Sequence, residues 1–405
     1  MTLNLRPYQE VGRDFLAGRR HALLADGMRV GKTPQAILAA TKLNLQKVLV
    51  VCPAIARQQW LYEWHRWYEA HGVRLKQPML EIYSFDQARR SAEVLKKGHW
   101  DLVIVDEAHF AKNPEAERTK LIYGKDGLGW RADRLWALSG TPAPKHAGEL
   151  WAMLRAFGAV GMSYREFTDR YCTFNKWTGK IIGTNVYRIP ELKQILSKVM
   201  LRRTLAEVAP ELPAIDFQFL NVDPLEKVDL PNTPISDGIE ESDFDYGDRQ
   251  AVAMAKVLPL VEQICFAIEN GLLERTVVFG WHTAPLEALT AALMARGIGA
   301  ATLTGKTSPG QRQWVQQKFR EGGVQVVAAN ILAAGTAIDL SAASHGFFIE
   351  LDWVPGNNVQ AANRLISMDK EQPVSFDIVT VPGSIDSRVQ KVLLTRTQQL
   401  AKIYS

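Results

Sequence analysis

The sequence predicts an α/β protein of two tandem lobes, each a parallel sheet sandwiched by helices, with a cleft between the lobes. Three observations predict it. Short β-branched runs such as 47–53 and 275–280 read as strands buried on both faces, and each alternates with a helical pattern. Two such alternating arrays of similar size follow one another, as two three-layer parallel units require. Between them lies an acidic stretch with Pro224, Pro231 and Pro234 and no apolar periodicity, which reads as a connector.

The bulk properties agree. A chain of 405 residues exceeds one ordinary core. The expected division is a first lobe over 1–213, an acidic linker over 214–250 and a second lobe over 251–405. No apolar run approaches a membrane span of roughly 18 residues, and the polar start MTLNLRPYQE does not read as a secretory leader. Cys52, Cys172 and Cys265 are widely scattered, so reduced buried thiols are expected rather than a disulfide or zinc framework. The net charge of +5 understates the basic character, because residues 221–250 hold nine acids against Lys227 and Arg249 and leave the remainder at +12. A basic body suits a polyanionic partner, though such a balance alone is a weak signal.

In chain order, Leu5-Arg6-Pro7-Tyr8-Gln9 leads into an amphipathic helical run. The Gln9 amide can read an adenine edge, and a capped surface helix accounts for it equally. Residues 23–34, LLADGMRVGKTP, place an apolar run, a short turn ending Gly31-Lys32-Thr33 and a helix-forming run in succession. That is the layout of a phosphate loop formed by Gly27, Met28, Arg29, Val30 and Gly31. Backbone N–H groups and the helix N-terminus would cradle a polyphosphate, Lys32 would reach the β- and γ-phosphates, and the Thr33 hydroxyl would ligate Mg²⁺. The first glycine of the usual pattern is Asp26 here, so the loop needs a partner motif.

Residues 56–68 put Trp60, Trp64, Trp67 and Tyr68 at helical spacing, a stripe better read as core packing than as a base-stacking platform. The partner motif is Asp101-Leu-Val-Ile-Val-Asp106-Glu107-Ala108-His109, about 70 residues after the loop. Its two carboxylates emerge at the C-terminal end of a buried strand, where parallel α/β sheets bind ligands. Asp106 would hold Mg²⁺ through water and Glu107 would polarise the attacking water. Ser139-Gly140-Thr141 after another strand supplies hydroxyls suited to sensing a γ-phosphate, and residues 171–189 read as a small polar insertion with a hairpin turned at Gly183-Thr184-Asn185.

The ordered set LRPYQ, DGMRVGKT, VVCPAIARQQW, VDEAH and LSGTPAP resembles the first lobe of superfamily 2 helicase-like ATPases, in their Swi/Snf branch. Met200-Leu-Arg202-Arg203-Thr204 with Glu211-Leu-Pro213 is similar to the segment that closes that lobe. Residues 333–344 and 350–364, with Gly335, Asp339, Gln360, Ala361 and Arg364, resemble the second lobe of the annealing-helicase (HARP-like) subgroup, and Pro382-Gly-Ser-Ile-Asp386 also fits. The resemblance implies two RecA-like lobes and an ATP- and Mg²⁺-dependent motor acting on duplex or branched DNA without base specificity. It implies a DNA-associated cytoplasmic monomer, with ATP held between Lys32 and the loop on one side and Gly335, Asp339 and Arg364 on the other.

Two departures stand out. The family's second arginine of the last motif, its arginine finger, is Ser367 here, followed by Asp369-Lys370 in place of Gly-Gln. Where a finger is used, its loss costs on the order of 10³ to 10⁵ in turnover. An ATP-gated DNA clamp with little turnover is therefore the alternative reading, and Arg202 and Arg203 are the candidate substitutes. The phosphate loop carries Arg29 where the family has a small residue. A strand-separating helicase is the third reading, and the motifs fit it less well.

Overall fold

The computed structural model describes residues 3–72, 78–208, 215–223, 246–334, 338–367, 370, 372–387, 389, 390, 393 and 394. Among the described residues, 3–208 form one compact unit and 215–394 a second. Its strands are β1 (His21–Leu24), β2 (Lys47–Cys52), β3 (Met79–Ser84), β4 (Leu102–Asp106), β5 (Leu135–Leu138), β6 (Cys172–Phe174), β7 (Ile181–Thr184), β8 (Met200–Leu201), β9 (Ile215–Asn221), β10 (Thr276–Gly280), β11 (Ala300–Leu303), β12 (Val326–Asn330), β13 (His345–Phe348) and β14 (Val374–Thr380).

The first unit holds a six-stranded sheet in the order β3-β2-β4-β5-β1-β8, parallel throughout. Its strands lack polar alternation because both faces are covered. Ala22, Leu24, Val48, Val50, Leu102 and Ile104 pack on one side with Ile37 and Leu16 of the flanking helices. Leu23, Leu49, Val51, Val103 and Val105 pack on the other with Leu121, Leu150 and Leu154. The aromatic stripe lies on the helix Arg57–Gly72, and Trp60, Trp64, Trp67 and Tyr68 are buried in the first of these cores, as packing residues should be. All three cysteines are buried and free.

The second unit repeats the plan with a parallel sheet in the order β11-β12-β10-β13-β14-β9. Phe279, Phe348 and Phe376 interlock on one face, with Phe217 of β9 stacked on Phe376 at 5.6 Å. Val278, Val326, Ala328, Phe347 and Val379 face the opposite core.

The structure corrects three expectations. Ile215–Asn221, assigned to the linker, is an edge strand of the second sheet, paired along its length with β14. Alternating Phe217 and Phe219 with Asp216 and Gln218 is a strand pattern, and the acids further on obscured it. The helix Tyr246–Ala255 likewise starts inside the expected linker, whose acidic centre lies outside the described residues. The helical stretch Gly247–Glu269 does reach the length and apolarity of a membrane span. It breaks at Lys256, whose buried ammonium pairs with Asp386 at 3.1 Å and caps the Val379 carbonyl, and it packs Val257, Leu260, Val261 and Ile264 into the second core.

The expected insertion forms the antiparallel pair β6–β7. Its turn is not at Gly183-Thr184-Asn185, which sit at the end of β7 and just beyond it. The chain reverses at Asn175, whose side chain accepts from the N–H groups of Trp177 and Thr178, and Gly179 takes the left-handed φ of 68° that the reversal needs.

Candidate functional site

Strands β4, β5 and β1 are neighbours in the first sheet, and Asp106, Leu138 and Leu24 lie level in register. The three C-terminal ends therefore open onto one edge of the sheet. From β1 the chain passes through Ala25 and Asp26 into the loop, and Gly31 caps the helix Lys32–Lys42 with φ 80°. That left-handed φ favours glycine, and a Cβ there would stand 2.4 Å from Gln9 Nε2 and displace the amide. Val30 is buried, while Gly27, Met28, Arg29, Lys32 and Thr33 are half-buried along the opening.

Lys32 Nζ donates to the carbonyls of Asp26 (2.9 Å) and Gly27 (3.1 Å), which folds the ammonium back over the loop. Gln9 donates from Nε2 to the Val30 carbonyl at 3.1 Å and accepts from the Arg6 N–H at 3.0 Å. Part of the amide expected to read adenine thus holds the loop. Arg29 takes a left-handed φ of 64°, costly for a residue with a Cβ and a form of strain that collects at functional loops.

Behind the loop, the fully buried Asp26 carboxylate meets the Arg203 guanidinium through Nε (3.0 Å) and Nη2, and Gln35 Nε2 donates to it at 3.2 Å. The Gly27 N–H donates to the Arg203 carbonyl, and Arg202 donates to the carbonyls of Ala25 and Gly140. Within the first unit, the two arginines named as finger substitutes are thus engaged in bracing the loop. Gln35 was not expected at the site, and Arg203 was expected as a finger substitute rather than as a brace; the buried Asp26 in place of a glycine was the one signal that a cation stands behind it.

At the end of β4, Asp106 Oδ2 accepts from Trp60 Nε1 at 2.7 Å and Oδ1 accepts from the Glu107 N–H at 3.0 Å. Burial, and then repulsion from Glu107, push the Asp106 carboxyl up to about 6 against the pull of Trp60 and Lys32. A cation beside it would relieve that penalty. Thr33 and Asp106 offer hard oxygen donors, the type that suits Mg²⁺. Glu107 has a left-handed φ of 49°, and its Oε2 lies 3.3 Å from His109 Nδ1. The same imidazole nitrogen shares a 3.0 Å hydrogen bond with Ser139 Oγ, which accepts from the Thr141 N–H. A Cβ on Gly140 would lie 3.6 Å from Lys32 Nζ, so this turn closes directly over the ammonium. Lys32, Asp106, Glu107 and Ser139 are thereby gathered at one sheet edge.

In the second unit, Arg364 lies in the turn Asn363–Leu365 after the helix Pro355–Ala362, and its carbonyl accepts from the Leu340 N–H. The Asp339 carboxylate is paired with Arg320 at 2.8 Å and accepts from the Ser341 N–H. Gly335 lies outside the described residues. The Lys370 ammonium, near Ser367, donates to the carbonyls of Ser341, Ala343 and Leu365, and burial lowers it to about 8. Elsewhere in the second unit, His282 Nδ1 and Glu350 Oε1 are 2.6 Å apart, both buried, and the Arg249 guanidinium lies over the rings of Trp281 and Trp353, 4.9 Å from each centroid.

Residues 72–228 match the SNF2-related domain, and residues 256–368 match the helicase conserved C-terminal domain. Among curated proteins, the SWI/SNF-related matrix-associated actin-dependent regulator of chromatin subfamily A-like protein 1 of Xenopus laevis is 27% identical over 428 residues, covering 98% of this chain and 44% of its own. The Bos taurus protein of that name is 28% identical over 426 residues, covering 98% and 45%. The DNA annealing helicase and endonuclease ZRANB3 of Mus musculus is 27% identical over 433 residues, covering 97% and 40%. This chain thus spans less than half the length of these three relatives. The solved Sulfolobus solfataricus SWI2/SNF2 ATPase core in complex with dsDNA has a TM-score of 0.47 at 20% identity, over 100% of this chain and 94% of that one. Two matched domains in tandem, the motif order and relatives aligned along nearly the whole sequence lead to one conclusion: the chain belongs to the Swi/Snf branch of the superfamily 2 helicase-like ATPases.

Proposed function

We propose that this chain is an ATP-driven motor that moves along duplex or branched DNA by gripping its phosphate backbone. The observation that carries the reading is the gathering of Lys32, Asp106, Glu107 and Ser139 at the C-terminal edge of β1, β4 and β5. The helix N-terminus after Gly31 and the loop amides receive the phosphates. Lys32 exchanges the Asp26 and Gly27 carbonyls for β- and γ-phosphate oxygens, a change of partner that needs only side-chain rotation. Thr33 and Asp106 hold Mg²⁺, which when bound neutralises phosphate charge. Glu107 orients and polarises the attacking water. His109 joins Glu107 to Ser139, so loss of the γ-phosphate is felt at the turn Ser139-Gly140-Thr141.

In the same reading Arg364 and Asp339 of the second unit serve nucleotide turnover, and DNA is held through phosphates without base readout. The supporting test is triplex displacement: a third strand laid on duplex DNA should be expelled with ATP and not with a non-hydrolysable analogue. Expulsion in neither case, by protein that binds DNA, would remove the motor reading. Ser367 supports a second reading, an ATP-gated clamp. That reading requires nucleotide-dependent DNA affinity with negligible phosphate release, and brisk turnover unaffected by Ser367→Arg would eliminate it.

A further inference from the structure

The hairpin between the helices Tyr164–Tyr171 and Ile189–Val199 belongs to neither large sheet, and no step above uses it. Its surface composition is unusual. Trp177 at the tip is 95% exposed and Tyr187, just beyond β7, is 90% exposed, with Phe174 and Ile182 also exposed on the strands. Single exposed apolar residues need no explanation. Here, however, the indole is presented by an ordered turn, with Asn175 Oδ1 accepting from the Trp177 and Thr178 N–H groups and the Asn175 N–H donating to the Lys180 carbonyl.

The charge around it has one sign. No acid occurs between Asp169 and Glu191, while Arg170, Lys176, Lys180 and Arg188 do. Arg170 and Arg188 pair with Glu191 at the base, at 2.8 and 3.6 Å, and Lys176 and Lys180, both exposed, precede and follow Trp177 in the chain. The base is firmly held. Thr184 Oγ1 accepts from the Ala147 N–H at 2.9 Å, the Asn185 N–H donates to the Tyr171 carbonyl, and the buried Tyr171 donates its hydroxyl to Glu191 at 2.7 Å. An exposed aromatic on an ordered turn, with a lysine before it and another after it in sequence, matches a partner that offers flat π faces strung on phosphates.

We propose that the β6–β7 hairpin is a nucleobase-stacking probe: Trp177 stacks on an unpaired base where duplex DNA opens, and Lys176 and Lys180 neutralise the adjoining phosphates. This rests on the DNA reading above and specifies the structure preferred. A continuous duplex keeps its base faces stacked on one another, whereas a fork or a single-strand junction exposes one to the probe. The hairpin then supplies structure selection, while backbone contacts elsewhere supply general affinity.

The test is fluorescence anisotropy with the full chain on a blunt duplex and on a forked DNA of equal duplex length, at one fixed salt concentration. Wild type, Trp177→Ala and Trp177→Tyr are compared, with thermal melts to verify equal folding. Wild type should favour the fork. Trp177→Ala should weaken fork binding roughly 5- to 150-fold, the range for losing one base–aromatic stack, and leave blunt-duplex binding unchanged, while Trp177→Tyr retains most of the preference. Equal losses on both DNAs, or no loss on either, would overturn the proposal and leave the DNA reading standing; the second result would turn attention to a protein partner for the tip. Wild type that binds neither DNA would defeat the DNA reading and the probe together.

Discussion

Trp60 and Asp106, 46 residues apart in sequence, are joined by a 2.7 Å hydrogen bond from indole Nε1 to carboxylate Oδ2. A core tryptophan on one helix thereby fixes the orientation of the acid at the end of β4. The bond also opposes the burial that raises Asp106, keeping the carboxylate form more accessible. Trp60→Phe preserves most of the packing and removes the donor. Outer partners of metal-binding groups typically matter by 10- to 100-fold. Mg²⁺-dependent binding of a fluorescent ATP analogue should weaken by about tenfold in Trp60→Phe, with the melting temperature little changed. Unaltered Mg²⁺ dependence would show that the bond only packs the helix.

Arg203 and the fully buried Asp26 form the brace behind the phosphate loop. Removing one member of a buried pair leaves an uncompensated charge and costs about 3 to 5 kcal/mol. Arg203→Ala should therefore lower stability in urea unfolding by that order, and Arg203→Ala with Asp26→Asn should recover part of it. If Arg203 instead served as a catalytic finger, Arg203→Ala would lower turnover with stability intact.

The Glu350 carboxylate contributes acid-sensitive stability to the second unit. Burial alone would raise it, but the hydrogen bond and charge of His282 outweigh that and hold it below its ordinary 4.5. Because the folded value is the depressed one, the stabilisation is fully present above about 4.5 and is lost as pH falls through the folded value. Oε2 also accepts from the N–H groups of Trp281 and His282. Glu350→Gln should cost about 1 to 3 kcal/mol at pH 7 and flatten the acid limb of a stability–pH curve. A limb as steep as that of wild type would place the acid sensitivity elsewhere.

The double α/β architecture was legible because strands buried on both faces write continuous apolar runs, and 102–105 or 276–279 allow no other reading beside helical periods. The gathering of the loop after β1 and of Asp106-Glu107 at one sheet edge was legible for a different reason: each lies in a short motif at the end of a strand. What the sequence concealed depends on distant residues meeting. Nothing near Trp60 announces Asp106, and Arg203 reaches Asp26 across 177 positions. β9 was hidden by the acids that follow it, although its own alternation was visible. The hairpin was expected but its turn was misplaced, since Gly183-Thr184-Asn185 and Asn175 to Gly179 offer similar turn residues and only the pairing of Cys172 with Thr184 decides between them.

The most direct measurement is steady-state phosphate release with and without duplex DNA, for wild type beside Lys32→Ala. The gathered cluster at β1, β4 and β5 predicts release that rises on adding DNA in wild type and stays at background in Lys32→Ala. Wild-type release that DNA does not raise above the Lys32→Ala level would contradict it.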